Sequence, residues 1–340
     1  MKKLLSALVV FIMVLQAFVS CSKKESTTSP DVAKGQKTAK DYKIVLLLPG
    51  QVNDQGWNAS NYSGVVECNA KLGTNMEFVE SVQPQDFESA FREYGEKGYD
   101  IVMAAGSQFD EACTRIAPLY PNTRYMIVNG AAATTSNMSP LFPKEYEASY
   151  LAGIIAGFLT KTGKFGLIGG EENQAMVNLM AVYGKTAVEI AKNRGIKDAS
   201  YNLAYANSWS DIAKGKQMGE NMIRNGADVM FAYANELGLG VINAAMENGK
   251  YHVGYAADQT KIDPKTVVAS IDFKFANMYL WAIDSFIKGN LPGGKMYEVG
   301  IKEDLFAPIW TNNVTDEIKN AVNKAMDDCK QGKVDLKKLF

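Results

Sequence analysis

From residue 43 onward, short apolar runs rich in β-branched residues alternate with longer amphipathic segments of helix length. Short apolar strands separated by helical segments are typical of parallel sheets that are covered by helices on both faces. The pattern therefore predicts an α/β protein. The predicted strands span residues 43–49, 76–79, 100–104 and 124–128, and then 165–168, 201–204, 229–232, 251–255 and 267–271.

The strands fall into two sets, separated by residues 130–143, a stretch rich in Ala, Thr, Ser and Asn that shows no period. We interpret this stretch as the first crossover between two α/β lobes. Two such lobes are expected to hold a ligand in the cleft between them, at the carboxyl ends of the strands. Helix signals agree with this interpretation, with helices predicted over 275–288 and 315–330 and helix-ending glycines at Gly98, Gly195, Gly226 and Gly249.

The beginning of the chain has the layout of a secretory signal. Lys2 and Lys3 precede an uncharged apolar run, residues 4–18, which is shorter than the roughly 20 residues of a membrane span. Residues 18–21, Phe-Val-Ser-Cys, resemble a bacterial lipobox, in which the cysteine receives diacylglycerol. We therefore predict a signal peptide over 1–20 and a lipid-anchored flexible tether over 21–40 that starts at Cys21. A plain signal peptide with an incidental cysteine is the alternative.

The remaining length, about 300 residues, suits two domains of ordinary size. We predict an N-terminal lobe over 41–130 plus 273–293 and a C-terminal lobe over 131–272 plus 294–340. The formal net charge is −1, from 36 basic and 37 acidic residues. This balance offers no electrostatic reason to expect nucleic acid as a partner.

Residue types suited to catalysis are scarce in this chain. His252 is the single histidine and falls inside a predicted strand, so we interpret it as a structural residue. No metal-binding pattern of His and Cys is present, and the four cysteines form no CxxC pair. Cys68 and Cys113 are expected to be small buried helix residues. The sequence thus favours a binding protein without metal or cofactor over an enzyme.

Two loops at predicted strand ends carry a tryptophan among polar residues. The first, residues 50–58, contains Trp57 with Asn53, Asp54 and Asn58, and the second, residues 206–211, contains Trp209. Two such loops can hold a flat heterocycle by stacking on both of its faces, while amides and carboxylates bind its edge. The alternative for the first loop is that Trp57 packs on its own helix. The glycine-rich residues 166–172 lack the Lys-Ser/Thr pair of a phosphate loop and are predicted to be a turn that approaches the cleft.

Taken together, these segments resemble the basic membrane protein family, lipoprotein solute-binding components of ABC transporters that include purine nucleoside receptors. The resemblance covers nearly the whole chain after the tether. The matching segments are residues 53–58, Gly64, Gly106, 117–121, 150–153, 161–170, 208–211, 226–229 and 254–259.

This resemblance implies a two-lobed type I periplasmic-binding-protein fold, in which each lobe is a doubly wound parallel sheet and the hinge consists of several crossovers. It also implies a monomer, bound to the cell membrane by its lipid, that faces the periplasm or the outside and delivers its ligand to an ABC permease. The same resemblance implies that the ligand is a purine nucleoside or nucleobase. The ligand-binding residues would be Asn53, Asp54, Trp57, Asn58, Gly106, Trp209, Asp211 and Asp258, with the two tryptophans stacked on the base and Asp258 near the sugar.

Two departures from the family concern the sugar. Relatives that bind nucleosides often carry an acidic residue where this chain has Ala256, and a lysine at a place that falls nearer to Phe273 than to Lys274. A free nucleobase or another flat heterocycle therefore stays open as the ligand. Two further functions stay open as well: a receptor for a sugar or a signalling compound on the same fold, and a surface adhesin or immunogenic lipoprotein.

Overall fold

The computed structural model describes residues 37–53 and 57–340. Twelve strands and nine α-helices lie within these ranges. The strands are β1 Ile44–Leu47, β2 Glu77–Val79, β3 Ile101–Ala105, β4 Arg124–Val128, β5 Leu141–Pro143, β6 Lys164–Gly169, β7 Ser200–Tyr205, β8 Val229–Tyr233, β9 Tyr251–Ala256, β10 Val267–Phe273, β11 Tyr297–Val299 and β12 Phe306–Trp310. The helices are α1 Trp57–Leu72, α2 Phe87–Glu96, α3 Asp110–Ile116, α4 Glu145–Leu159, α5 Gln174–Asn193, α6 Ile212–Arg224, α7 Glu236–Glu247, α8 Phe275–Ile287 and α9 Asp316–Lys330.

The strands form two sheets of six. The first has the order β11-β5-β4-β3-β1-β2 and is parallel throughout. The second has the order β12-β10-β9-β8-β6-β7 and is parallel except at its edge, where β12 runs antiparallel to β10. Strand order reverses inside each sheet, as in doubly wound folds, and the predicted fold class is confirmed.

Both faces of each sheet are buried. Along β1, Ile44 and Leu46 pack into one apolar cluster, while Val45 and Leu47 pack into another. Successive side chains of a strand point to opposite faces, so this alternation places helices on both sides of the first sheet. It also explains why β1 reads as a continuous apolar run instead of an alternating one.

All nine predicted strands are present, with ends that differ by two residues at most. The predicted helix over 315–330 begins one residue later, because Thr315 lies outside it as the N-cap and accepts a hydrogen bond from the Ile318 amide. The predicted buried cysteines, Cys68 and Cys113, lie on α1 and α3. The four helix-ending glycines all have positive φ: Gly98, Gly195, Gly226 and Gly249.

Three strands were not predicted: β5, β11 and β12. The first two have three residues each, too few to show a period, and β5 ends the stretch over 130–143 that we interpret as a crossover. β5 pairs with β4 and with β11 in the first sheet. β5 and β11 therefore belong to the first sheet, although the predicted lobe boundaries placed both strands in the C-terminal lobe.

The chain passes between the two sheets three times. It leaves the first sheet after β5 through α4, returns after β10 through α8, and leaves again between β11 and β12. Helix α4 packs on α5, and α8 packs on α1. Several crossovers thus join the lobes, in agreement with the predicted hinge.

The predicted signal peptide and Cys21 lie outside the described residues. Over 37–53 and 57–340, no helix has both the length and the apolar character that a membrane crossing requires.

Candidate functional site

The carboxyl ends of the parallel strands border a cavity of about 620 Å³. From the first sheet it receives residues at the ends of β4 and β5, and from the second sheet Tyr233 at the end of β8. The amino-terminal turn of α5 and the loop before α6 complete two further walls. The lining residues are Ser107, Asn129, Phe142, Pro143, Glu145, Tyr146, Asn173, Ala175, Met176, Asn178, Leu179, Trp209, Tyr233, Glu298, Lys337 and Phe340.

Of the eight predicted ligand-binding residues, Trp209 lines this cavity. Its half-buried ring lies edge-on to Tyr233, with 6.5 Å between ring centroids. A Cβ added at Gly170 would come within 2.5 Å of the indole, so the glycine lets the ring lie close to the backbone. Residues 166–169 of the predicted turn are the end of β6 instead, and the predicted close approach to the cleft is found at Gly170.

Trp57 does not line the cavity; it is held at the first sheet instead. Its indole Nε1 donates a 3.0 Å hydrogen bond to the carbonyl of Ala105 at the end of β3. The ring packs edge-on against Phe275 of α8 at 5.4 Å. Trp57 therefore packs on a neighbouring helix and a strand end, whereas the alternative prediction placed it against its own helix.

Six aromatic rings form a row that begins and ends with the two tryptophans. Adjacent parallel strands end at one edge of the second sheet, and Tyr233, Tyr255 and Phe273 stand at or next to the ends of three such strands. Consecutive ring centroids along the row are 5.1 to 6.5 Å apart. The row runs in the order Trp209, Tyr233, Tyr255, Phe273, Phe275 and Trp57.

The other residues predicted in the first lobe stabilise local backbone structure or lie apart. Asn58 is buried and its Oδ1 accepts a 3.0 Å hydrogen bond from the Gly50 amide, which closes the loop between β1 and α1. Asn53 is exposed in a turn, and Asp54 lies outside the described residues. Gly106 has φ of 134° and donates its amide to the Val128 carbonyl, so it makes the turn that leads from β3 to Ser107 at the cavity.

The two predicted aspartates of the second lobe are caps. Asp211 is exposed, precedes α6 and accepts a 2.9 Å hydrogen bond from the Lys214 amide. Asp258 accepts a 2.5 Å hydrogen bond from the Thr260 hydroxyl, and this bond lowers the pKa of the carboxyl below its ordinary value. Lys261 lies 3.1 Å from the same carboxylate.

Sequence reasoning missed Glu145 and Tyr233. The Tyr233 hydroxyl donates a 2.5 Å hydrogen bond to Glu145 Oε2 at the cavity wall. Burial raises the pKa of Glu145 to about 7, although the tyrosine hydrogen bond acts in the opposite direction. Tyr233 had a signal in the sequence, because it directly follows the predicted strand over 229–232. Glu145 had none, because its altered pKa arises only from tertiary burial.

Residues suited to catalysis are sparse in the described ranges. His252 is fully buried inside β9, and burial lowers its pKa to about 3, so its ring is uncharged at neutral pH. No group of three or more His, Cys, Asp or Glu side chains suited to a metal ion occurs over residues 37–53 and 57–340.

A family model described as ABC transporter substrate-binding protein PnrA-like matches residues 42–337. The chain is 27% identical over 321 residues to the ABC transporter nucleoside-binding protein BmpA of Lactococcus lactis subsp. cremoris, an alignment that covers 88% of this chain and 90% of the relative.

Solved structures share the fold. A transcriptional activator of the comK gene from Bacillus halodurans has a TM-score of 0.73 at 20% identity, covering 86% of this chain and 99% of the other. An ABC transporter solute-binding protein from Aeropyrum pernix has a TM-score of 0.68 at 19% identity, covering 86% and 92%. At such identities the likeness concerns the fold alone. The family match spans nearly all of the described chain, and this protein therefore belongs to the PnrA-like family of ABC transporter substrate-binding proteins.

Proposed function

We propose that this substrate-binding protein captures a purine nucleoside or nucleobase and presents it to its ABC permease, without changing the ligand chemically. The observation that carries the proposal is Trp209 on the wall of a cavity of about 620 Å³ at the carboxyl ends of the strands. This volume falls within the range of roughly 300 to 1,000 Å³ that is usual for small-molecule sites. The nucleoside-binding relative from Lactococcus supports the same ligand class.

Stacking is the proposed source of affinity. A base stacked on an aromatic side chain contributes roughly 1–3 kcal/mol. In the proposed bound state, hinge closure brings the base between Trp209 and Trp57, which stand at the two ends of the aromatic row. The predicted polar contacts from Asn53, Asp54, Asn58, Gly106 and Asp258 belong to the same proposed closed state, whereas the Asp211 carboxylate stays engaged in the cap of α6.

The proposed location is the outer side of the cell membrane. Cys21 would carry the lipid, and residues 21–40 would tether the lobes within reach of the permease. A monomer is sufficient for this role, since all proposed ligand contacts come from one chain.

Native mass spectrometry of the freshly purified protein tests the ligand class. The expected result is a bound mass that matches a purine base or nucleoside and that leaves on denaturation. A hexose or pentose in its place would contradict the purine assignment and support a sugar receptor on the same fold. The variant Trp209→Ala, purified in parallel, should carry little or no purine.

A further inference from the structure

Glu145 lies beside the cavity at the point where the chain first passes between the sheets. It is the first residue of α4, and part of its half-buried surface faces the cavity. The Tyr233 hydroxyl donates to its Oε2 at 2.5 Å, and the Tyr255 hydroxyl donates to its backbone carbonyl at 2.7 Å. Ser149 Oγ lies 3.2 Å from that second hydroxyl. Glu145 is thus held from two strands of the second sheet, its carboxylate by Tyr233 on β8 and its backbone carbonyl by Tyr255 on β9.

The charged groups near Glu145 pair with other residues. Lys144, its neighbour in sequence, pairs with Glu147. Lys337, which also lines the cavity, lies 2.9 Å from Glu298 on β11. The hydrogen-bond partner of the Glu145 carboxylate is therefore a tyrosine hydroxyl instead of a cation.

The tyrosines around Glu145 stay neutral around pH 7. Burial raises the pKa of Tyr233 and of Tyr255 well above the ordinary value, and Glu145 itself adds to both shifts. Burial likewise raises the pKa of Tyr146, the next residue of α4. Helix α5 contributes Asn173 and uncharged residues to the cavity. Burial raises the pKa of Glu145 to about 7, so this carboxyl group changes charge near neutral pH while the tyrosines beside it do not.

An ionised carboxylate accepts about four hydrogen bonds, and Tyr233 supplies one. The remaining acceptor sites face a cavity that water can enter, and they become costly once a stacked ligand displaces that water, unless a donor of the ligand meets them. We propose that Glu145 is a specificity-determining residue, which accepts a hydrogen bond from an N–H group on the edge of the heterocyclic ligand. This inference rests on the proposed function and narrows it to heterocycles that carry such a donor.

Tyr233 connects this acceptor to the stacking residue. Its hydroxyl contacts Glu145, while its ring contacts Trp209 edge-on. A base stacked on the indole would therefore have the carboxylate near its edge, where amino and ring N–H groups lie. Adenine, guanine and hypoxanthine each present an N–H group on the six-membered ring, whereas unsubstituted purine does not.

The protonation state of Glu145 should make ligand affinity depend on pH. Burial raises the pKa of Glu145 to about 7, and the ionised form is the better acceptor. Affinity for a donor-bearing heterocycle should therefore increase as the pH rises from about 6 to about 8. Loss of the Tyr233 hydrogen bond should raise the pKa further, because that bond favours the ionised form.

The test is calorimetric titration with adenosine and with purine riboside, which lacks the amino group. The wild-type protein should bind adenosine about 10 to 100 times more tightly, the factor expected of one hydrogen bond to a charged group. Glu145→Gln should remove most of this preference and the pH dependence, because the amide does not ionise and, with its oxygen bonded to the Tyr233 hydroxyl, turns its NH2 donor toward the ligand donor. Glu317→Gln, an exposed acid in the first turn of α9, is the matched control and should keep both.

Tyr233→Phe supplies an independent readout. The pH at which adenosine affinity reaches half its maximal value should move upward, an effect that a merely structural role for Glu145 would not produce. Equal affinities for the two nucleosides, or a Glu145→Gln variant with unchanged preference and pH profile, would overturn the inference while the purine function stands. Failure of the wild-type protein to bind any of adenosine, purine riboside and free adenine would contradict the proposed function, and the inference with it.

Discussion

Trp57 and Trp209 occupy similar places in the sequence but different environments. Trp209 lines the cavity, whereas Trp57 is tied to the Ala105 carbonyl and to Phe275. Each tryptophan follows a strand end and precedes or begins a helix, so the sequence was sufficient to find both. The hydrogen bond of the Trp57 indole depends on where β3 lies, and no local pattern reports that.

The variant Trp209→Ala should lower purine affinity by about 10-fold to 100-fold, which corresponds to the loss of one stacked base. Its thermal unfolding should change little, because the ring is only half-buried. Trp281→Ala, a matched change on α8 outside the cavity lining, should leave affinity intact. Near-normal binding by Trp209→Ala, measured by calorimetry, would refute the stacking role.

The variant Trp57→Ala should lose purine affinity as well, and unlike Trp209→Ala it should also be less stable than the wild-type protein. It removes a hydrogen bond to a β3 carbonyl, worth about 1 kcal/mol, and a contact with Phe275. Chemical denaturation should therefore show a lower free energy of unfolding than for Trp209→Ala. If Trp57→Ala binds purines normally at a temperature where it is folded, Trp57 takes no part in the closed site.

Glu145 makes a pH-dependent contribution to the stability of the ligand-free protein. Its pKa is about 7 when folded and 4.5 as the ordinary reference, so between these values the folded state holds a proton that the unfolded state has lost. The contribution of Glu145 to the free energy of unfolding is therefore largest at low pH and decreases as the pH rises from about 4.5 to 7.

Comparison of the wild-type protein with Glu145→Gln isolates this effect from other titrations. Relative to the variant, the wild-type protein should lose about 1 to 3 kcal/mol of unfolding free energy between pH 5 and pH 8, as measured by urea denaturation at each pH. A difference that does not vary with pH would show that Glu145 has an ordinary pKa.

At the scale of elements, α6 depends on Asp211 for its first turn. The carboxylate accepts from the Lys214 amide, and an N-cap of this kind contributes about 1 kcal/mol. Asp211→Ala should therefore reduce the unfolding free energy by about that amount, whereas Asp211→Asn should not, because asparagine caps equally well.

The same pair of variants examines the predicted ligand contact of Asp211. Since its carboxylate is already engaged in the cap, Asp211→Asn should bind purines with wild-type affinity in calorimetry. A clear loss of affinity in this folded variant would instead place the carboxylate on the ligand.

Strands of four or more residues were predictable from sequence, with one exception, because their apolar runs are local signals. β12 escaped although it has five residues, since it contains Pro308 and half-buried positions in place of an apolar run. β5 and β11 depend on their pairing in the first sheet, β5 with β4 and β11, and β11 with β5. Pairing partners of that kind are determined by the fold as a whole.

For the whole molecule, three passages of the chain between the sheets provide a hinge. The proposed closure should reduce the radius of gyration when adenosine is added, and small-angle scattering detects such a change. The Trp209→Ala variant provides the control, since it should show no change at the same adenosine concentration. A wild-type scattering curve that is identical with and without saturating ligand would contradict closure.

Calorimetric titration of the purified wild-type protein with adenosine, guanosine, adenine, ribose and glucose shows whether the protein is a purine receptor. We expect saturable binding of at least one purine with one site per chain, and no binding of the free sugars. Saturable binding of a sugar without any response to the purines would contradict the proposed function.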